Sequence, residues 1–140
     1  MTVATLLTEA GIQSEASAVS FYAHSGNYSL NFSLFLLIKL FFLKEKFGSS
    51  LTLTEALDSR VFVAYRLQGA ELPKDNGGPL RLIVPFYFGY KWVKWLKRIH
   101  VTKEKELGHL EKEWGDNILV PAKYLEKYAQ MEIDLSPPSV

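Results

Sequence analysis

The segment Asn76–Trp95, NGGPLRLIVPFYFGYKWVKW, gathers the side chains of this sequence that could hold an anion. Gly77 and Gly78 carry no Cβ, so their backbone amides could approach a ligand closely. Arg81 can offer a planar fork of donors to a phosphate or a ring oxygen. Lys91 and Lys94 follow a glycine turn whose N–H groups could join them as an anion nest. Tyr90 and Trp92 could pack beside a flat heterocycle. Together these groups describe a site for an anionic, partly planar ligand. The competing reading is a hairpin-like core whose lysines snorkel to solvent.

The charge distribution favours the same stretch. Sixteen basic and 15 acidic residues give a formal charge of +1, which makes no case for nucleic acid. By segment, residues 1–38 carry −2, residues 39–75 carry +1, residues 76–103 carry +6 and residues 104–134 carry −4. A local field of that size concentrates anions. Other chemistries are missing. There is no cysteine, so thiol nucleophiles, zinc–thiolate sites and disulfides are excluded within these residues. His24, His100 and His109 form no metal-binding spacing. No nucleophile elbow or phosphate-binding P-loop is present. Glu104, Glu106, Glu111 and Glu113 read as a solvated helix face.

The elements that must position the basic segment follow from periodicity. Val3–Ala10 is a helix capped by Thr2 and closed by Gly11. Ala18–Ala23 is a strand with Val19, Phe21 and Ala23 on one face, and residues 24–27 form a turn. Leu51–Leu57 is a short strand or turn leading into a helical turn capped by Thr54. Arg60–Leu67 is a strand, Gln68-Gly69 a turn and Leu72–Pro79 a loop. Leu80–Val84 is a short buried strand, Phe86–Tyr90 an aromatic loop, and Val93–Thr102 leads into a final strand with Ile99 and Val101 inward. Leu107, Leu110 and Trp114 have helical spacing. Pro121 starts a last helix carrying Leu125 and Tyr128. Residues 30–47 are apolar from Leu34 to Leu43 except for Lys39. That run is well short of the roughly 20 residues needed to span a bilayer. It reads as a surface-lying or core-packed helix, and a membrane span is disfavoured. The N-terminus lacks a charged n-region followed by an apolar run, so no secretory signal is read; this tilts the compartment towards the cytoplasm.

The order of residues in this segment resembles a known family. Asn76-Gly77-x-Pro79-Leu80-Arg81-Leu82-x-Val84-Pro85, then Gly89-Tyr90-Lys91-x-Val93-Lys94-Trp95, is similar to the molybdopterin-binding domain of the sulfite oxidase family. That family includes bacterial methionine sulfoxide reductase catalytic subunits. TLLTEAGI, SFYAHSGNYS and LTEALDSRVFVAYRLQGAELPKDNGGPLRLIVP extend the resemblance to about 80 of the 140 residues. It implies an α+β fold, a mixed β-sheet-centred domain present in part over residues 1–103. A helical, acidic extension would occupy 104–140, and a hydrophobic insert about 30–49. It implies molybdopterin as cofactor, with oxygen-atom transfer coupled to electron transfer. Asn76 takes the place of an Asn or His that contacts the cofactor, and Arg81 that of an arginine on the pterin or its phosphate. Lys94 matches the lysine of the Val-Lys-Trp turn, with the Trp92 and Val93 backbone alongside. Lys91 aligns with a basic position near the site.

Three departures bear on activity. The family's molybdenum ligand is a cysteine shortly before the helix that Val3–Ala10 resembles, and this sequence begins after that point with no cysteine anywhere. Leu30–Ser49 has no counterpart and reads as an insertion or as translated non-coding sequence. Beyond about Lys103 the resemblance fades. Three readings follow. The chain is a molybdopterin-dependent oxidoreductase domain with Asn76, Arg81, Lys91, Trp92, Val93 and Lys94 on the cofactor, no catalytic residue and no metal ligand of its own. Or it is a non-enzymatic remnant that binds a pterin or another anion. Or it is a peripheral membrane protein using residues 30–47. The first leaves room for an electron-transfer partner or for an N-terminal segment that supplies the cysteine.

Overall fold

A computed structural model describes residues 1–24, 48–116 and 119–121. The helix α1 (Val3–Ala10) starts where expected. The Thr2 hydroxyl accepts from the Thr5 N–H at 3.1 Å, and Gly11 ends the helix at φ +75°. The central sheet contains β1 (Ala18–Ala23), β2 (Gly48–Thr52) and β7 (Leu96–Thr102), antiparallel in the order β2-β1-β7. Val19 pairs with Leu51 on one side and Val101 on the other. Val19, Phe21 and Leu51 are buried, while Ile99, Val101 and Ala23 pack against them partly exposed. The core continues through Val3, Leu7, Val61, Val63, Leu82, Val84 and Val93. Burying one such side chain stabilises by about 1.5–3 kcal/mol.

Three expectations are corrected. The short helix α2 (Leu53–Ala56) is capped by Thr52, not Thr54. Glu55 answers by accepting the Thr52 N–H at 2.7 Å, so Thr52 and Glu55 complete a capping box one half-turn earlier. The stretch Arg60–Leu67 is two strands. β3 (Phe62–Ala64) pairs with β6 (Arg81–Ile83), whereas β4 (Arg66–Leu67) forms a hairpin with β5 (Ala70–Glu71). Gln68 and Gly69 have φ of +52° and +81°, as a two-residue hairpin turn demands. The helix α3 (His109–Trp114) buries Glu111 and leaves Trp114 57% exposed, so the apolar spacing of Leu107, Leu110 and Trp114 does not define its inner face.

Tyr22 of β1 pairs with Gly48 of β2, so the chain between them, residues 23–47, joins adjacent antiparallel strands. Such a connection needs only about 2–5 residues. The apolar run lies outside the described residues, as do the turn at 25–27 and the last helix. Gly48 and Ser49, however, belong to β2, and Ser49 is buried, so the expected insert does not extend through residue 49. Among the described residues no helix is long and apolar enough to cross a membrane. Deleting residues 30–47 is expected to leave cooperative thermal unfolding intact and solubility equal or better. Loss of the folded state in circular dichroism would assign that segment to the core.

Candidate functional site

The loop after β5 carries a 3₁₀ turn, Lys74–Asn76. Its three carbonyls each accept a side-chain donor from the basic segment. The Trp95 indole donates to the Lys74 carbonyl at 2.9 Å, the Lys94 ammonium to that of Asp75 at 2.8 Å, and the Arg81 guanidinium to that of Asn76 at 2.9 Å. The backbone fixes the same register. Leu82 N–H bonds the Val93 carbonyl, Trp95 N–H the Gly77 carbonyl and Leu96 N–H the Leu80 carbonyl. Arg81 and Lys94, 13 positions apart in sequence, are thereby gathered on one turn, with the Asn76 side chain exposed beside them.

Arg81 is the informative member. Its Nε is buried and has no hydrogen-bond partner among the described residues. A buried donor left unmade costs about 1–3 kcal/mol, so an acceptor placed there is favoured. Burial pushes the guanidinium below its usual pKa, yet it stays charged at neutral pH. The guanidinium carbon lies 5.7 Å from the centre of the Trp92 ring, while the indole N–H of Trp92 donates to the Val84 and Tyr87 carbonyls. The donor set is cationic and faces one edge of the loop, with aromatic surface beside it. These residues fit a pterin that carries a phosphate.

The glycines act differently from the expectation. A Cβ on Gly78 would lie 1.8 Å from the Leu72 carbonyl oxygen, and one on Gly77 2.7 Å from Lys94 Cγ. Gly77 also sits at φ +98°. Both positions are needed for the chain to fold against itself, and both amides donate to backbone carbonyls, Gly77 to Lys74 and Gly78 to Pro73.

Lys91 is placed apart from Arg81 and Lys94. It ends the 3₁₀ turn Gly89–Lys91 and is fully buried. Its ammonium meets three acceptors: Glu111 Oε1 at 2.6 Å, Asp116 Oδ1 at 2.5 Å and the Ser50 carbonyl at 3.0 Å. That number satisfies all three of its protons. Glu111, expected on a solvated face, is equally buried. It accepts from Ser49 Oγ at 2.6 Å, the Ser50 N–H at 3.0 Å and the Gly108 N–H at 2.8 Å.

Around this pair lies a network that the sequence did not disclose. Lys105 bridges Asp116 at 2.8 Å and Glu55 at 3.7 Å, and the Tyr87 hydroxyl donates to Glu55 at 2.5 Å. Burial raises the Asp116 and Glu55 carboxyls, but hydrogen bonds and the nearby lysines outweigh it and hold both below their usual values. Burial and the Glu55 carboxylate push the Tyr87 hydroxyl up. The one available signal was a charge excess of opposite sign in the segments 76–103 and 104–134. Among the described residues no cluster of His, Asp and Glu could hold a metal.

Comparison with known proteins identifies the family. A family model described as an oxidoreductase molybdopterin binding domain matches residues 1–110, seven residues beyond Lys103. A nitrate reductase [NADPH] from Mycosarcoma maydis is 38% identical over 92 residues, 64% of this chain and 9% of that protein. Mitochondrial sulfite oxidase from Rattus norvegicus is 38% identical over 68 residues, 47% of this chain and 12% of that protein. The chain thus spans about a tenth of the length of these relatives. The solved sulfane dehydrogenase SoxCD from Paracoccus pantotrophus aligns over 75% of this chain and 22% of its own, with a TM-score of 0.58 and 25% identity. With most of its length matched by that model, on a sheet-centred α+β fold shared with SoxCD, the chain belongs to the molybdopterin-binding oxidoreductase family.

Proposed function

We propose that this chain is the cofactor-holding part of a sulfite oxidase-like oxidoreductase unit. In it Arg81 and Lys94 bind the pterin and its phosphate, with Asn76 and the backbone of Trp92 and Val93 alongside. The buried Nε of Arg81, without a partner among the described residues and next to the turn that also anchors Lys94, carries the reading. When bound, the cofactor supplies oxygen-atom transfer coupled to electron transfer. The chain's own residues bind and orient. Arg81 directs its free donors at an acceptor, Lys94 adds positive charge, and the Trp92 ring shields one side of the guanidinium from water. Lys91, with both of its carboxylate partners in place, supports this surface from beneath rather than touching a ligand.

A second reading rests on one observation. None of the 140 residues is a cysteine, so no soft thiolate for molybdenum comes from this sequence. The chain would then hold a pterin or a related anion without performing redox chemistry. Expression in a host that makes the cofactor, followed by assay of bound pterin by fluorescence and of molybdenum by mass spectrometry, separates the two. Pterin with molybdenum supports the first reading, and pterin alone the second. Arg81→Ala is expected to lower pterin retention roughly tenfold or more, the value of a hydrogen bond to a charged group. No pterin on the folded chain, or unchanged retention in the variant, overturns the site.

A further inference from the structure

The buried pair beneath the basic turn joins two parts of the chain that the site needs in register. Lys91 lies three residues before Lys94, and its ammonium is held from below by β2 and by the segment beyond β7. Glu111 is the hub of that holding. Its Oε1 takes Lys91, Ser49 and Ser50, while its Oε2 caps the start of α3 at Gly108. Neither side chain reaches solvent, with relative exposures of 0% and 1%. Such a pair tolerates little displacement, because moving one member leaves a buried charge without its partner. Between Lys91 and Trp95 the chain has few residues in which to absorb a shift. A change at Lys91 therefore passes to Lys94 and to the Trp95–Lys74 contact.

We propose that Glu111 is a positioning residue for the anion site. Through Lys91 it sets the Trp92–Trp95 turn, so the segment after Thr102 governs binding at a surface that Glu111 does not touch. This rests on the reading of Arg81 and Lys94 as the anion-binding pair. Two indole N–H groups report the turn directly: that of Trp92 bonds Val84 and Tyr87, and that of Trp95 bonds Lys74. Trp114 lies on α3 itself and serves as the internal comparison.

The test is a ¹⁵N–¹H spectrum of the full chain, followed by titration with inorganic phosphate, for wild type and Glu111→Gln. The expected result is displaced Trp92 and Trp95 indole resonances and about five- to tenfold weaker phosphate binding, a typical size for coupling through a packed network. Should Glu111→Gln not fold, Lys91→Met carries the test, since Glu111 keeps its three other donors there, and the same displacements are expected. A folded variant whose Trp92 and Trp95 resonances match wild type overturns the proposal, as does one that shifts Trp114 alone. Arg81→Ala separates the two claims. If it weakens phosphate binding while Glu111→Gln does not, the site stands and the positioning role falls. If Arg81→Ala has no effect, the site reading itself fails.

Discussion

Glu111→Ala is expected to lower the free energy of unfolding by about 3–5 kcal/mol, the usual cost of removing one member of a buried ion pair. The loss has identifiable parts. Lys91 would keep Asp116 and the Ser50 carbonyl but lose its closest fully buried counter-charge. The Ser49 hydroxyl and the Ser50 and Gly108 N–H groups would lose their acceptor. Glu113, two positions on, supplies the comparison. Its side chain is 58% exposed, and the half-exposed His109 imidazole lies 3.5 Å from it. Glu113→Ala is therefore expected to change stability by less than about 0.5 kcal/mol. Urea denaturation of the two variants reads the difference. Equal effects would show that the buried pair contributes no more than a surface carboxylate.

Gly78→Ala is expected to cost about 3 kcal/mol or more, because overpacking against backbone offers no soft neighbour to yield. The added methyl would meet the Leu72 carbonyl oxygen at 1.8 Å, with the Leu72 carbonyl carbon and the Pro73 oxygen next nearest at 2.7 and 3.0 Å. Relief requires the loop before the Lys74–Asn76 turn to move. That turn carries the carbonyls that anchor Arg81, Lys94 and Trp95, so the displacement also reaches the proposed anion site. Gly89→Ala is the control, because a Cβ there meets nothing within 4 Å. Thermal unfolding distinguishes them. A Gly78→Ala protein as stable as Gly89→Ala would show that the loop before the turn gives way freely.

Several features were legible in the residues alone because they depend on local rules. Thr2 and Gly11 bracket α1, which buries Val3 and Leu7. Alternation defines Ala18–Ala23, and the run from Asn76 to Trp95 carries the family resemblance, within the residues that the family model matches. Positions that turn on contacts between distant segments were not legible. Arg60–Leu67 has uniform strand propensity, yet its two ends find different partners, β6 and β5, and the strand divides at Tyr65. Thr52 and Thr54 both suit a helix cap, and the end of β2 decides between them.

The sequence by itself determined which side chains could meet an anion, their order and the absence of a thiolate for a metal. Only the tertiary structure decided what each cation does. Arg81 and Lys94 share the carbonyls of one turn, while Lys91 is sealed against Glu111 and Asp116. The physical reason is that a lysine and a glutamate look solvated in any one-dimensional reading. Their burial becomes affordable only when the fold brings opposite charges together with donors for every remaining lone pair.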